Sequence, residues 1–410
     1  VSPHLIPLAK ALAARLSPVN FCYVADEKSH AERLTLGWGE NKIPEWVLFS
    51  KAEQEGSDVA EKWKHDADAI LCGKRELDLF EARCQQGKVT CYMSERWFKP
   101  PYGMLRMLHP QYLRMALRFC QLLHSPKFFY LPMGVPAAED LVRMVNFFSF
   151  FPKWLFRRSP LTIHECRSKL LLWGYFVEPS SHAPMHARKS ERLRVLWVGR
   201  MLNWKRVDTL IKAVGALLKE GRNIRLTLVG LGPEEPRLRK LAESINNQQS
   251  AFGNATINDP MNSRTNELPV ITIYPPVPIV QVRDLMRQSD VYVLPSDGGE
   301  GWGAVVNEAM EEGCVVVASR ECGSGATMIE QGQNGLLFKA GSIRELIAWL
   351  GRLCDETDFR EQLAQGGLKT MRTLWNPDVA AERLVSVCEA ARDGRETPHY
   401  DKGPLRVLPC

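Results

Sequence analysis

Residues 299–310 read GEGWGAVVNEAM and carry two carboxylates eight positions apart, Glu300 and Glu308. Glycines surround the first, and a helix-like run lies under the second. Glycines just ahead of a helix let backbone N–H groups approach a phosphate or a sugar closely. Glu308, about one turn into that helix, can accept hydrogen bonds from a vicinal diol such as ribose. Glu300, at the loop tip, can accept from sugar hydroxyls. Upstream, Arg200 and Lys205 directly follow the apolar run LRVLWVG, and two cations there would neutralise a diphosphate. A glycine-rich loop by itself is usually only a loop, and a cation after a strand is usually solvated. Their joint placement at strand ends of one sheet is what points to a site.

That placement depends on the elements. From Leu193 onward, short apolar runs alternate with helical patterns: LRVLWVG, RVDTLIKAVGALLKEG, IRLTLVG, EEPRLRKLAESI, VITIY, QVRDLMRQ, DVYVLPS, VVNEAMEEG and CVVVAS. Nearly continuous apolar strands alternating with helices predict a parallel sheet covered on both faces, joined by right-handed crossovers. Ligands of such sheets bind beyond the carboxyl ends of the strands. The candidate sites are therefore the loops after LRVLWVG, IRLTLVG and DVYVLPS. The polar stretch NNQQSAFGNATINDPMNSRTNE, residues 246–267, reads as an insertion loop. The N-terminal half is less regular. LIPLAKALAARL has helical spacing, and NFCYVA, DADAILCG and KVTCYMS read as strands.

At 410 residues the chain is expected to hold two domains. The predicted organisation is residues 1–180, a linker at 181–192, a second domain at 193–376, a helix at 377–394 that crosses back to the first domain, and a tail at 395–410. Hydrophobic content of 45% and charged content of 24% suit a soluble globular protein, and no apolar run reaches membrane-spanning length. The first residue is Val, so the chain is expected to be a processed or truncated version of a longer product.

Several other chemistries are disfavoured. The nearest match to a dinucleotide fingerprint is GLGPEE, with Glu235 at the third glycine position, and no GxxxxGK[ST] phosphate loop exists. A nicotinamide-dependent oxidoreductase is disfavoured accordingly. The eleven cysteines form no CxxC pair and no zinc spacing, so reduced, buried thiols are expected. Asp66 and Asp68 open an apolar strand without companion ligands, and no metal is expected.

The net charge of +6 is unevenly spread. Residues 96–194 hold 16 Lys/Arg against five acids, which leaves the rest of the chain net acidic. That surplus predicts a polyanion or an anionic membrane surface on the N-terminal side. The stretch RMVNFFSFFPKWLFRR, Arg143–Arg158, combines interfacial aromatics with Lys153, Arg157 and Arg158 and is expected to lie on the membrane face.

PSDGGEGWGAVVNEAMEEG resembles the E-x7-E region of family 4 glycosyltransferases, retaining enzymes of the GT-B fold. VGRMLNWKRVDTLIKA resembles that family's diphosphate-binding segment, and LVGLGPEEPRL and NGLLF match further landmarks. The resemblance is strong over residues 193–374 and weaker before them, where YMSERWFK and KLLLWGYFVEP are similar to members that build bacterial surface polysaccharides.

The resemblance implies two Rossmann-like, doubly wound parallel-sheet domains facing a cleft, an N-terminal acceptor domain and a C-terminal donor domain. It implies transfer of a sugar from a nucleotide-diphosphate-sugar to a hydroxyl of a glycan or lipid-linked glycan, with retention and without a metal or other cofactor. Nucleic acid is not an expected partner. The location implied is cytoplasmic, on the inner face of the membrane. Arg200 and Lys205 would hold the donor diphosphate, with Glu300 as third member of the catalytic set. Glu308 would bind ribose, Glu300 and the backbone of Gly301, Trp302, Gly303 and Ala304 would face the donor sugar, and Gly199, Gly230 and Val305 would complete the donor site.

Two departures stand out. Family members often open with a strand and a glycine-rich loop, whereas VSPHLIPL begins at the loop-to-helix junction. Many also carry a histidine where this chain has Ser94, Glu95 and Arg96. Glu95 is expected to pair with Arg96 or to take a polar role in the cleft, and His4 and His109 are further candidates for the vacancy. The alternative function is a catalytically inactive nucleotide-sugar-binding partner of an active transferase.

Overall fold

The computed structural model describes residues 4–17, 20–25, 44, 46–49, 54–151, 161–181, 192–253 and 269–408. Its architecture is GT-B: two α/β units, each with parallel strands flanked by helices.

The C-terminal unit is a six-stranded parallel sheet. Its strands are β6 (Leu193–Val198), β7 (Ile224–Val229), β8 (Ile271–Tyr274), β9 (Val291–Leu294), β10 (Val315–Ser319) and β11 (Leu336–Phe338). β9 and β10 are buried along their whole length, as expected for central strands with helices on both faces. The spatial order is β11-β10-β9-β6-β7-β8. The chain runs outward from β6 to β8, then returns to lay β9 on the other side of β6. The order therefore reverses between β6 and β9, and the loops leaving these two strands diverge around a crevice.

In the N-terminal unit, β3 (Ala69–Cys72), β4 (Val89–Ser94) and β5 (Phe128–Pro132) form a parallel sheet with β4 at its centre. β1 (Tyr23–Ala25) and β2 (Val47–Phe49) pair separately. Parallel bridges from Tyr130 to Leu170 and from Met133 to Trp173 extend the β5 edge.

The two units share one apolar core at their junction. Trp173, Phe176, Trp302, Trp375, Tyr292 and Met310 all belong to it. The Pro377–Arg392 helix starts with Asn376 capping the Val379 N–H at 2.9 Å and Pro377 in the first turn. It packs on the Ile6–Leu16 helix and on β4, and Arg15 pairs with Asp378 at 3.2 Å. The chain then returns to Leu170–Leu172, where Leu172 N–H donates to Arg406 O at 2.9 Å and Leu405 N–H to Leu172 O at 2.7 Å.

Two sequence readings need correction or restriction. Residues 246–253, read as loop, continue the Glu235–Gly253 helix. Polar composition concealed a surface helix, since polarity reports exposure and Asn and Gln are tolerated in exposed turns. The rest of that stretch, residues 182–191 of the linker and residues 152–158 of the basic aromatic segment lie outside the described residues.

Candidate functional site

The crevice between β6 and β9 is built by two loops that hold each other. Asp297 N–H donates to Trp204 O at 2.8 Å, tying the loop after β9 to the Asn203–Lys205 turn after β6. The Asp297 carboxylate accepts the Gly299 N–H at 2.8 Å and curls the loop tip. Within this frame Lys205 Nζ donates to the Glu300 carboxylate, which also accepts from Ser296 Oγ at 2.9 Å. The Lys205 and Glu300 side chains are 18% and 12% exposed, enough to be reached from the crevice and little enough to be weakly screened. Arg200 is exposed, and its guanidinium has no partner among the described residues.

Gly199 and Gly230 shape the floor. A Cβ on Gly230, whose φ is +144°, would lie 1.9 Å from Gly199 O, so only glycine lets the β6 and β7 loops meet there. Gly303, at φ +83°, needs the same freedom to turn the chain into the Val305–Glu311 helix. The loop is braced from behind: Gly323 N–H donates to Gly301 O at 3.0 Å, Ser324 N–H to Trp302 O at 2.8 Å and Ser324 Oγ to Gly303 O at 3.0 Å. The Gly301, Gly303 and Ala304 N–H groups donate to no acceptor among the described residues. They remain available beside Glu300.

Glu308 follows one turn into the helix and is buried. Burial pushes its carboxyl up to about 7, with Glu312 adding repulsion and Arg283 opposing. His4 Nδ1 lies 3.8 Å from its Oε1, and the His4 ring packs on Tyr175 with centroids 5.6 Å apart. One of the two candidate histidines thus stands beside the buried carboxylate. The other, His109, is exposed at the start of the Pro110–Leu122 helix, with no side-chain partner among the described residues.

Two further placements bear on the sequence reading. Trp302 is fully buried, and its Nε1 donates to Asn307 Oδ1 at 2.8 Å. Its ring packs on Trp375, 5.6 Å away, and fills the space where Gly174 lacks a side chain. Only its backbone belongs to the loop, because the side chain is consumed by the junction core. Val305 is half-buried at the start of the helix. Glu95 pairs with Lys99 at 2.6 Å, while Arg96 turns to Asp140. The adjacent pairing fails because Asp140 is fully buried and needs the guanidinium more.

Sequence reasoning also missed Ser296, Asp297 and Ser324. The first two sat inside the quoted motif without a role. Ser324 is buried in the short Gly323–Met328 helix, and nothing local marks it as a brace. Among the described residues no three His, Cys, Asp or Glu side chains are grouped to share a metal ion, and no helix is long and apolar enough to cross a membrane.

Residues 192–356 match the model of Glycosyl transferases group 1. Among curated proteins the chain is similar to a D-inositol 3-phosphate glycosyltransferase of Thermomonospora curvata, 29% identical over 202 residues that cover 48% of this chain and 43% of that protein. It is also similar to an uncharacterized glycosyltransferase of Haemophilus influenzae, 30% identical over 200 residues and 48% of each chain. The chain thus spans about half the length of the curated relatives it matches. Among solved structures, Anabaena HepE in complex with UDP and glucose aligns at a TM-score of 0.57 and 14% identity, over 95% of this chain and 97% of that one. The apo form of WaaB, a lipopolysaccharide outer core galactosyltransferase, aligns at 0.58 and 14% identity over 96% of each chain. These structures establish the GT-B fold, and the family model agrees with the resemblance to family 4 glycosyltransferases.

Proposed function

We propose that this chain of GT-B fold, matched over residues 192–356 by Glycosyl transferases group 1, is itself a glycosyltransferase. It transfers a sugar from a nucleotide-diphosphate-sugar to a hydroxyl of a glycan or lipid-linked glycan, with retention and without a metal. The observation that carries this reading is the joined pair Lys205 and Glu300 in the crevice where the strand order reverses, with Arg200, which has no partner among the described residues, on the same loop after β6 as Lys205. In this reading Arg200 and Lys205 face the diphosphate, Glu308 accepts from ribose, and Glu300 with the Gly301, Gly303 and Ala304 N–H groups faces the donor sugar. Gly199 and Gly230 admit the phosphates to the floor.

As the bond to the leaving diphosphate breaks, negative charge grows on its oxygens, and fixed cations and N–H donors stabilise it most at that point. The acceptor hydroxyl enters on the face the diphosphate leaves and passes its proton to a departing phosphate oxygen. No protein nucleophile is required, and no carboxylate pair need flank the bond, in contrast to a retaining glycosidase.

WaaB, a lipopolysaccharide outer core galactosyltransferase, and HepE, which binds UDP and glucose, support a surface-glycan setting. A site on the inner membrane face fits the exposed Phe150 at the end of the Val135–Ser149 helix and the half-exposed Arg143 earlier in it. A panel of nucleotide-sugars tested by thermal shift identifies the donor: ligand at 100 times its Kd should stabilise the fold by about 2.7 kcal/mol. Transfer or slow hydrolysis of the stabilising donor, with the anomeric configuration of the product read by NMR, tests activity and stereochemistry. Binding without either reaction would instead support an inactive partner subunit.

A further inference from the structure

β4 ends at Ser94, and the next two residues both reach the donor loop of the other domain. The Glu95 carboxylate lies so close to Gly301 that a Cβ there would fall 2.1 Å from its Cδ and Oε2. Arg96 Nη1 donates to Gly298 O at 3.1 Å. The other edge of the same guanidinium grips Asp140, with Nε to Oδ2 at 3.2 Å and Nη2 to Oδ1 at 3.0 Å.

Asp140 sits in the Val135–Ser149 helix and is fully buried. It also accepts from Phe98 N–H at 3.0 Å and from Arg143 Nη1 at 3.4 Å. A buried carboxylate needs such company to stay ionised. Four donors therefore fix it, and it in turn fixes the plane of the Arg96 fork. The fork is rigid, so fixing one edge aims the other. Arg96, only 13% exposed, is held in the N-terminal domain while pointing at the backbone of the C-terminal one.

We propose that Arg96 is a positioning residue for sugar transfer: anchored on Asp140, it sets the Gly298–Gly301 loop, and with it Glu300, against the acceptor domain. The inference rests on reading Lys205 and Glu300 as the donor site. It assigns the register between domains to one guanidinium rather than to general packing. Nucleoside diphosphate alone is held within the C-terminal domain by Arg200, Lys205 and Glu308, so its affinity should not need the strut. Turnover, which needs both domains in register, should.

The test uses the full chain, with UDP, GDP and ADP as binding probes and the donor from the nucleotide-sugar panel for turnover. Arg96→Lys keeps the charge but loses the two-edged fork, and Asp140→Asn keeps the volume but loses the anchor. Each should lower kcat tenfold or more and leave the Kd for the bound diphosphate within twofold, with melting curves showing a folded protein. Because both break one strut, the double variant should lose no more than the larger of the two single losses. Unchanged kcat in Arg96→Lys, or losses that multiply in the double variant, overturn the proposal. If no diphosphate binds the unmodified chain, it is the donor-site reading that fails. Should Asp140→Asn fail to fold, Arg96→Lys and Arg96→Gln still decide, with turnover expressed per diphosphate-binding site titrated in each preparation, since a purely structural defect would lower the number of sites and leave turnover per site unchanged.

Discussion

Lys205 Nζ and the Glu300 carboxylate are joined across the crevice between β6 and β9, with Ser296 Oγ holding the same carboxylate oxygen. One side chain comes from each side of the point where the strand order reverses. The cation proposed to face phosphate and the carboxylate proposed to face sugar thus orient one another before any donor arrives.

If the cations stabilise charge that grows in the transition state, Arg200→Ala and Lys205→Ala should each lower kcat by about 100-fold or more. Glu308→Ala should mainly raise the donor KM, since ribose changes little as the bond breaks. Lys205→Ala combined with Glu300→Gln should lose less than the product of the singles, because the two side chains form one unit. Steady-state kinetics on this set decides the assignment. Collapse of kcat in Glu308→Ala, with the cation variants unaffected, would reverse the roles.

Glu308 makes the site sensitive to pH. Its carboxyl is raised by burial to about 7, with Glu312 adding to the rise, Arg283 opposing it and His4 nearby. A raised folded value means stability that is complete below the ordinary carboxylate range and lost as pH climbs to about 7. The full loss is on the order of 3 kcal/mol. The melting temperature of the unmodified chain relative to Glu308→Gln should therefore fall between pH 5 and 7 and level off above. Nucleoside diphosphate binding should run the opposite way, tightening as the carboxylate ionises and becomes a full acceptor for ribose. A parallel pair of melting curves across that range would remove Glu308 as the titrating group.

Trp302 is a core residue despite its place in the motif. Trp302→Ala should destabilise the fold by about 3–5 kcal/mol, visible as a lower denaturation midpoint. Among molecules that remain folded, donor KM should change little. A large KM effect at unchanged stability would return the ring to the donor site.

Transfer should survive EDTA, since Arg200, Lys205 and the loop N–H groups are proposed to supply the charge stabilisation. Loss of activity with chelator, restored by magnesium or manganese, would overturn that mechanism.

The basic aromatic segment is expected to favour anionic over neutral vesicles in flotation, by about 1 kcal/mol for each cation near the surface. Phe150→Ser should weaken flotation with both vesicle types and leave the preference unchanged, as that ring is uncharged and 80% exposed at the helix end. Equal flotation with both vesicle types would remove the membrane from the proposal.

Much of the site was legible in sequence because its signals are local. Apolar runs the length of a strand, glycines ahead of a helical pattern, and a cation just past a strand all follow from backbone geometry within a few residues. That was enough to bring out Arg200, Lys205, Glu300 and Glu308 and the loops that carry them. Composition failed where exposure and conformation diverge, as in the polar residues that continue the Glu235–Gly253 helix. The remaining assignments depend on which loops the sheet order brings together. Arg96 and Asp140 are 44 residues apart, and Arg96 and Gly298 are 202 apart. His4 meets Glu308 across about three quarters of the chain. Trp302 faces the core only because Gly174 and Trp375 arrive from elsewhere to receive it. No periodicity encodes such meetings, since each is decided by burial and charge pairing once two distant segments share a surface. The sequence by itself determined most strands and helices of the C-terminal unit and the groups proposed to grip a nucleotide-sugar. Tertiary structure alone decided which of them face the crevice and what holds them there.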